Sequence, residues 1–165
     1  MRVIADVRVQ ERQPLDLQAA LPSLLPKAIA WAESEAASAA ATGQTLNDSR
    51  LGVARRVGVL RPELIRVAIV DALPMPQDAV LHAAAVQTGL LGPHMAGLTL
   101  GYSVLVRRGQ DTLRLFSHEF RHVYQYEQAG SIAAFLPTYL QQIIEFGYAN
   151  APLEVDARSH EQLAL

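Results

Sequence analysis

His118-Glu119-Phe120-Arg121-His122 is the stretch of this chain whose residue types and spacing best suit it to chemistry. Two imidazoles stand four residues apart, and a carboxylate directly follows the first. On a helix, residues four apart lie about 40° from each other around the axis, so both rings point the same way and can grip one metal ion. Glu119 lies about 100° round from His118, beside such an ion but not on it. A carboxylate in that place can take a proton from water that the metal activates. The pattern predicts a site for one zinc ion, Zn2+, with His118 and His122 as ligands and Glu119 as general base.

A helix has to carry these residues, and the flanking sequence supplies one. Asp111 or Thr112 can cap its start, and Gly130 can stop it after about Gln128. With His118 set at zero and about 100° per residue, the helix divides into three sectors. His118, His122, Leu115, Tyr126 and Glu119 share the first sector. Leu113, Phe116, Phe120, Val123 and Tyr124 form an apolar stripe facing a core. Arg114, Ser117, Arg121, Gln125 and Gln128 form a polar face. The stripe is complete without the histidines, which favours a site over core packing.

A catalytic zinc usually takes three protein ligands and keeps one position open. Glu127 lies about 140° from His122 and cannot reach the same ion. Glu145 sits on the next predicted helix, among Ile143, Ile144 and Phe146. Glu154, Asp156 and His160 sit on the last one, with Glu154 in its first turn, where the preceding loop can bend it back.

His118-Glu119-x-x-His122 followed by Glu154-Val155-Asp156-Ala157 resembles the gluzincin arrangement H-E-x-x-H … E-x-x-A. The residues Val123, Gln125, Tyr148, Asn150, Pro152, Glu154 and Ala157 also resemble small bacterial zincin domains, over about residues 64–160. That resemblance implies Glu154 as third zinc ligand, on a helix, and hydrolysis of peptide bonds. It also implies an edge strand above the site that pairs with extended substrate, with 97–101 or 102–107 as the strand. The metzincin pattern would need Gly at 125 and His at 128, and both positions are Gln. Many relatives in the membrane-protease branch carry Asp where this chain has Arg158. Tyr102, Tyr126, Tyr148 and His160 are the candidate donors to a developing oxyanion, with Tyr148 preferred.

The remaining segments predict the elements around the site. Residues 2–9 alternate as a short strand. Pro14, Pro22 and Pro26 punctuate a region of one or two short helical turns, followed by an Ala-rich helix over 27–41. A helix over 49–57 follows Asn47, and β-branched residues make 64–70 a strand. Residues 77–91 read as a helix, and 97–107 as one extended segment with a bulge or bend at Gly101. Helices over 132–146 and 152–163 complete the chain. These elements predict an α+β class: a small twisted sheet flanked by helices, in a minimal zincin-like domain spanning 1–165. Its core would lie in 61–165, with an N-terminal strand and helices in 1–60.

Composition bounds the partners. The 165 residues contain no Cys, which excludes disulfides, thiolate nucleophiles and Cys-ligated metal. Half the residues are hydrophobic, enough for a packed core. A net charge of −2 argues against bulk electrostatic binding to nucleic acid. No run is long and apolar enough to span a membrane, and the first residues carry no signal-peptide pattern, so the expected location is the cytoplasm. The expected partner is a peptide or protein substrate.

Overall fold

A computed structural model describes residues 13–164 of the chain, so the predicted strand over 2–9 lies outside the described residues. The elements run α1 (Leu17–Thr42), α2 (Asp48–Arg56), β1 (Arg66–Val70), α3 (Ala79–Thr88), β2 (Gly97–Leu100), β3 (Ser103–Arg107), α4 (Leu113–Ala129), α5 (Ile132–Phe146) and α6 (Pro152–Ser159). Short 3-10 turns precede β1 and α6, at Pro62–Leu64 and Tyr148–Asn150. The α+β expectation holds: six helices surround one small mixed sheet among the described residues. No described helix is long and apolar enough to cross a membrane.

The sheet order is β1-β3-β2, with β3 parallel to β1 and antiparallel to β2. Residues 97–107 are therefore not one extended segment. They form a hairpin in which Gly101 and Tyr102 make a two-residue loop. Gly101 has φ +65°, the positive value that a type II′ loop needs at its first position and that glycine takes without steric cost. The hairpin leaves β2 at the edge, so 97–101 is the edge candidate and 102–107 is central.

Side chains alternate across the sheet and give each face its own helices. Val67, Val104 and Val106 pack with Val53, Phe116, Phe120 and Val123, which fixes α2 and α4 on one face. Ala68, Leu100 and Leu105 pack with Ala32, Ala39, Phe135 and Leu136, which fixes α1 and α5 on the other. The apolar stripe expected on α4 is thus the surface by which it lies against the sheet. Thr112 caps α4 by accepting from Leu115 N–H, and Gly130 closes it in the left-handed conformation.

The N-terminal helix corrects the sequence reading. In place of short turns ahead of a helix over 27–41, α1 runs unbroken through Pro22 and Pro26. Each proline removes a helical hydrogen bond and costs about 3 kcal/mol in a helix interior. Burial offsets this, because Leu24 and Ala28 pack with Leu81 and Ala84 of α3, with Leu17 and Trp31 against them. The last helix is shorter than predicted, ending at Ser159 and not at 163.

Candidate metal centre

His118 and His122 project from the middle of α4, and Glu154 projects from the first turn of α6. The three residues form a triangle in which the two histidine nitrogens face each other and each Glu154 oxygen faces one histidine. His118 Nε2 and His122 Nε2 are 3.2 Å apart. Glu154 Oε2 is 3.3 Å from His118 Nε2, and Glu154 Oε1 is 3.2 Å from His122 Nε2. These three residues can hold a metal ion. The Glu154 side chain is only 1% exposed, and its Oε2 has no hydrogen-bond partner.

The partners on the far side of each ring decide what the triangle is. Gln125 Nε2 donates to Leu153 O at 2.9 Å and to Asp156 Oδ2 at 2.8 Å. Both are acceptors only, so Gln125 Oε1 is left to accept from His122 Nδ1 at 2.8 Å. His122 therefore carries a hydrogen on Nδ1, and its neutral form aims the Nε2 lone pair into the triangle. Glu161 does the same for His118, accepting from Nδ1 at 3.0 Å. Two lone pairs and a carboxylate then converge within 3.3 Å. Such a convergence calls for a cation, either a proton on an imidazole or a metal ion.

The electrostatics agree with a cation-seeking site. Burial opposes charge on His122, yet the Glu154 carboxylate outweighs it and raises the imidazole above its usual value. Burial would also raise the Glu154 carboxyl, but bonds with His118 and His122 hold it well below the usual carboxylate range. Tyr139 Oη donates to Glu154 Oε1 at 2.7 Å, and burial followed by Glu154 keeps that phenol protonated far into alkali.

Glu119 stands beside the triangle and takes no part in it. It is 5% exposed, and Thr99 Oγ1 of β2 donates to its Oε2 at 2.7 Å. Its Oε1 lies over Gly97, so close that a side chain at that position would bring its Cβ within 2.6 Å. The sheet edge thus fixes the carboxylate from above while α4 fixes it from below.

The other sequence candidates divide cleanly. Tyr148, in the turn before α6, lines the chamber that contains the triangle and Glu119, and burial with Glu154 raises its hydroxyl. Tyr126 also lines that chamber, with its ring tilted 32° against that of Phe135 and the centroids 3.9 Å apart. Tyr102 bonds Glu127 Oε1 instead, and His160 Nδ1 lies 2.8 Å from Asp156 O, so neither joins the group. Glu145 is exposed on α5 and outside it. His82 and His94 are both exposed.

The helical wheel puts Gln125 on a polar face, but it is 5% exposed, and Ser117 of the same face is fully buried. The reason is α6, which packs on that side of α4. Arg121 holds the contact by donating to both oxygens of Asp156, at 2.8 and 3.1 Å, and to Val57 O at 2.8 Å. Ser117 Oγ accepts from Gln162 N–H at 2.8 Å, which pins the residues after α6 and brings Glu161 to His118. Sequence reasoning assigned no role to Glu161 or Tyr139, weighed Asp156 only in the search for a third ligand, and took Gly97 and Thr99 only as part of the edge-strand candidate 97–101.

The chamber is small, about 40 Å³, and meets an open cleft of about 390 Å³ at Met95, Gly97, His118, Glu119 and Tyr148. No protein-family model matches this chain, no curated protein matches it, and no solved structure matches it.

Proposed function

We propose that this chain is a zinc metallopeptidase with a minimal zincin-like domain. His118, His122 and Glu154 would hold one Zn2+, and Glu119 would be the general base. The observation that carries this reading is the convergence of His118 Nε2, His122 Nε2 and the Glu154 carboxylate, with each pair of residues in contact at 3.2–3.3 Å, and a separate carboxylate beside them. A tetrahedral zinc with ligands at about 2.0–2.1 Å separates its donors by about 3.3–3.4 Å, and neutral imidazoles with a carboxylate are its usual donors. The Nδ1 partners of both histidines favour the tautomers that zinc needs.

Zinc bound here would supply Lewis-acid activation of water and of a peptide carbonyl. The rest is the work of this chain's own residues. Glu119 Oε2 is engaged by Thr99, which leaves Oε1 as the basic atom. That oxygen would take the proton of the attacking water and pass it to the nitrogen of the leaving amine. The Tyr148 hydroxyl stays protonated and would donate to the oxygen that gains charge. The edge position of β2 suits the pairing of an extended peptide beside Thr99 and Glu119.

The test is elemental analysis of the purified chain and of His118→Ala, followed by digestion of a broad peptide library. Wild type should hold one zinc and cleave, and His118→Ala should lose the metal. Glu119→Gln should keep its zinc and lose about 10²–10⁴-fold in hydrolysis. Zinc bound at one per chain with no cleavage anywhere in the library would favour a zinc-binding interaction module. Equal cleavage by Glu119→Gln would refute the assigned base.

A further inference from the structure

The open cleft gives substrate a route to the metal group. The inner chamber, at about 40 Å³, has room for water but not for a peptide residue. The reactive groups it shares with the open cleft are His118, Glu119 and Tyr148. Chain flanking a bond held at Glu119 has room in the cleft, where the charges on the cleft wall act on it.

Those charges are nearly all spoken for. Arg114 Nε bonds Glu161 Oε2 at 2.5 Å, and Glu161 Oε1 bonds His118. Glu119 is bonded by Thr99. Arg158, on the same wall, is the exception. Its guanidinium donates through Nη2 to the backbone carbonyl of Ala149, a neutral group, and among the described residues no carboxylate forms an ion pair with it. Arg158 follows Glu154 by one turn of α6, so the two share a helix face. It reaches back over the turn that carries Tyr148, and it lowers the pKa of that residue against the other influences. The bond to Ala149 uses one Nη2 hydrogen and leaves the other, with Nε or Nη1 beside it, to donate to a planar acceptor.

We propose that Arg158 is a specificity residue that binds a carboxylate of the substrate in the cleft beside the metal group. The proposal rests on the peptidase reading and narrows its substrate class to peptides with a carboxylate near the reacting bond. That carboxylate belongs either to an Asp or Glu side chain or to a free C-terminus, and both offer the same bidentate acceptor. Arg114 cannot serve in its place, because Glu161 already neutralises it.

The experiment uses the full chain carrying Glu119→Gln, loaded with zinc and immobilised. It is offered a random peptide library in two forms, one with free C-termini and one amidated. Retained peptides are sequenced. The expected result is enrichment of about tenfold or more, the size of a charge-assisted hydrogen bond on a partly exposed site. It should appear as Asp or Glu at one position of the amidated set, as preference for the free-acid set, or as both. Adding Arg158→Ala should abolish the enrichment with zinc content unchanged, and Arg158→Glu should favour Lys or Arg at the same position. Arg158→Lys should restore part of it, and Arg114→Ala should leave it in place. Enrichment that survives Arg158→Ala, or retention of peptides without regard to charge, overturns the proposal. Zinc held at one per chain with no peptide retained overturns the peptidase reading and this proposal with it.

Discussion

Gly97 lies against the Glu119 carboxylate so closely that a Cβ at position 97 would stand 2.6 Å from Oε1 and 2.9 Å from the carboxyl carbon. The edge strand and the helix beneath it thus meet at the atom proposed as the base. No alanine fits there unless Glu119 moves. Gly97→Ala should therefore hold zinc normally and lose about 10²-fold in hydrolysis, the usual cost of displacing a catalytic group by about 1 Å. Metal content and single-turnover kinetics check this together, and full activity in Gly97→Ala would show that Oε1 is not the reacting oxygen.

Gln125 should matter for metal affinity more than for hydrolysis once the site is filled. It fixes the His122 tautomer through Oε1, and its own orientation is fixed by Leu153 O and Asp156. Outer partners of metal-bound histidines are typically worth about 10–100-fold in affinity. Gln125→Leu should weaken zinc by that factor in a chelator competition. Thermal unfolding of the metal-free variant separates lost affinity from lost fold.

The third ligand can be tested by a pair of substitutions. Glu154 is almost fully buried between the two histidines, and Glu145 is exposed on α5. Glu154→Ala should lose tight zinc binding. Glu145→Ala should match wild type in zinc stoichiometry and in melting temperature, because an exposed glutamate away from other features contributes within about 0.5 kcal/mol. Loss of zinc in Glu145→Ala would mean that α5 and not α6 supplies the ligand.

Alkaline stability should depend on a contact far from the metal group. Burial first, and then the bond to Glu127, push the Tyr102 hydroxyl up to about 12, against an ordinary value of 10.0. Because the folded value is the higher one, the folded state keeps a proton that the unfolded chain gives up. This contribution is complete below pH 10.0 and is lost as pH rises through about 12. Chemical denaturation between these limits should show a falling stability in wild type. Tyr102→Phe should remove this contribution to the fall, and an unchanged slope would mean that other groups set the alkaline limit.

The local parts of this fold and site could be read from sequence, and the parts made by docking could not. Thr112, Gly130 and the apolar period of 113–123 define α4 because caps and periodicity act within one helix. The spacing of His118 and His122 puts both rings on one side for the same reason. Gln125 falls on the solvent side of the helical wheel because the wheel records polarity and not what packs against it. Its burial comes from α6, with Asp156 thirty-one residues away. Tyr139 and Glu161 meet the histidines and Glu154 through helix crossings that no local pattern announces. Pro22 and Pro26 mislead in the opposite sense: intrinsic propensity says stop, and tertiary packing against α3 carries the helix through.

The order of the donors along the chain has its own consequence during synthesis. A ribosome that has released residues only through α5 has made both histidines, Glu119 and the sheet, but not Glu154 or Glu161. Such a nascent chain has two thirds of a metal group and no partner on His118 Nδ1. Docking of α6 supplies the ligand, the tautomer lock on His118 and the Asp156 support of Gln125 in one event. On the proposed reading, metal capture would wait for α6 to dock, and a chain released only through α5 would have no assembled centre with which to attack other unfolded polypeptides.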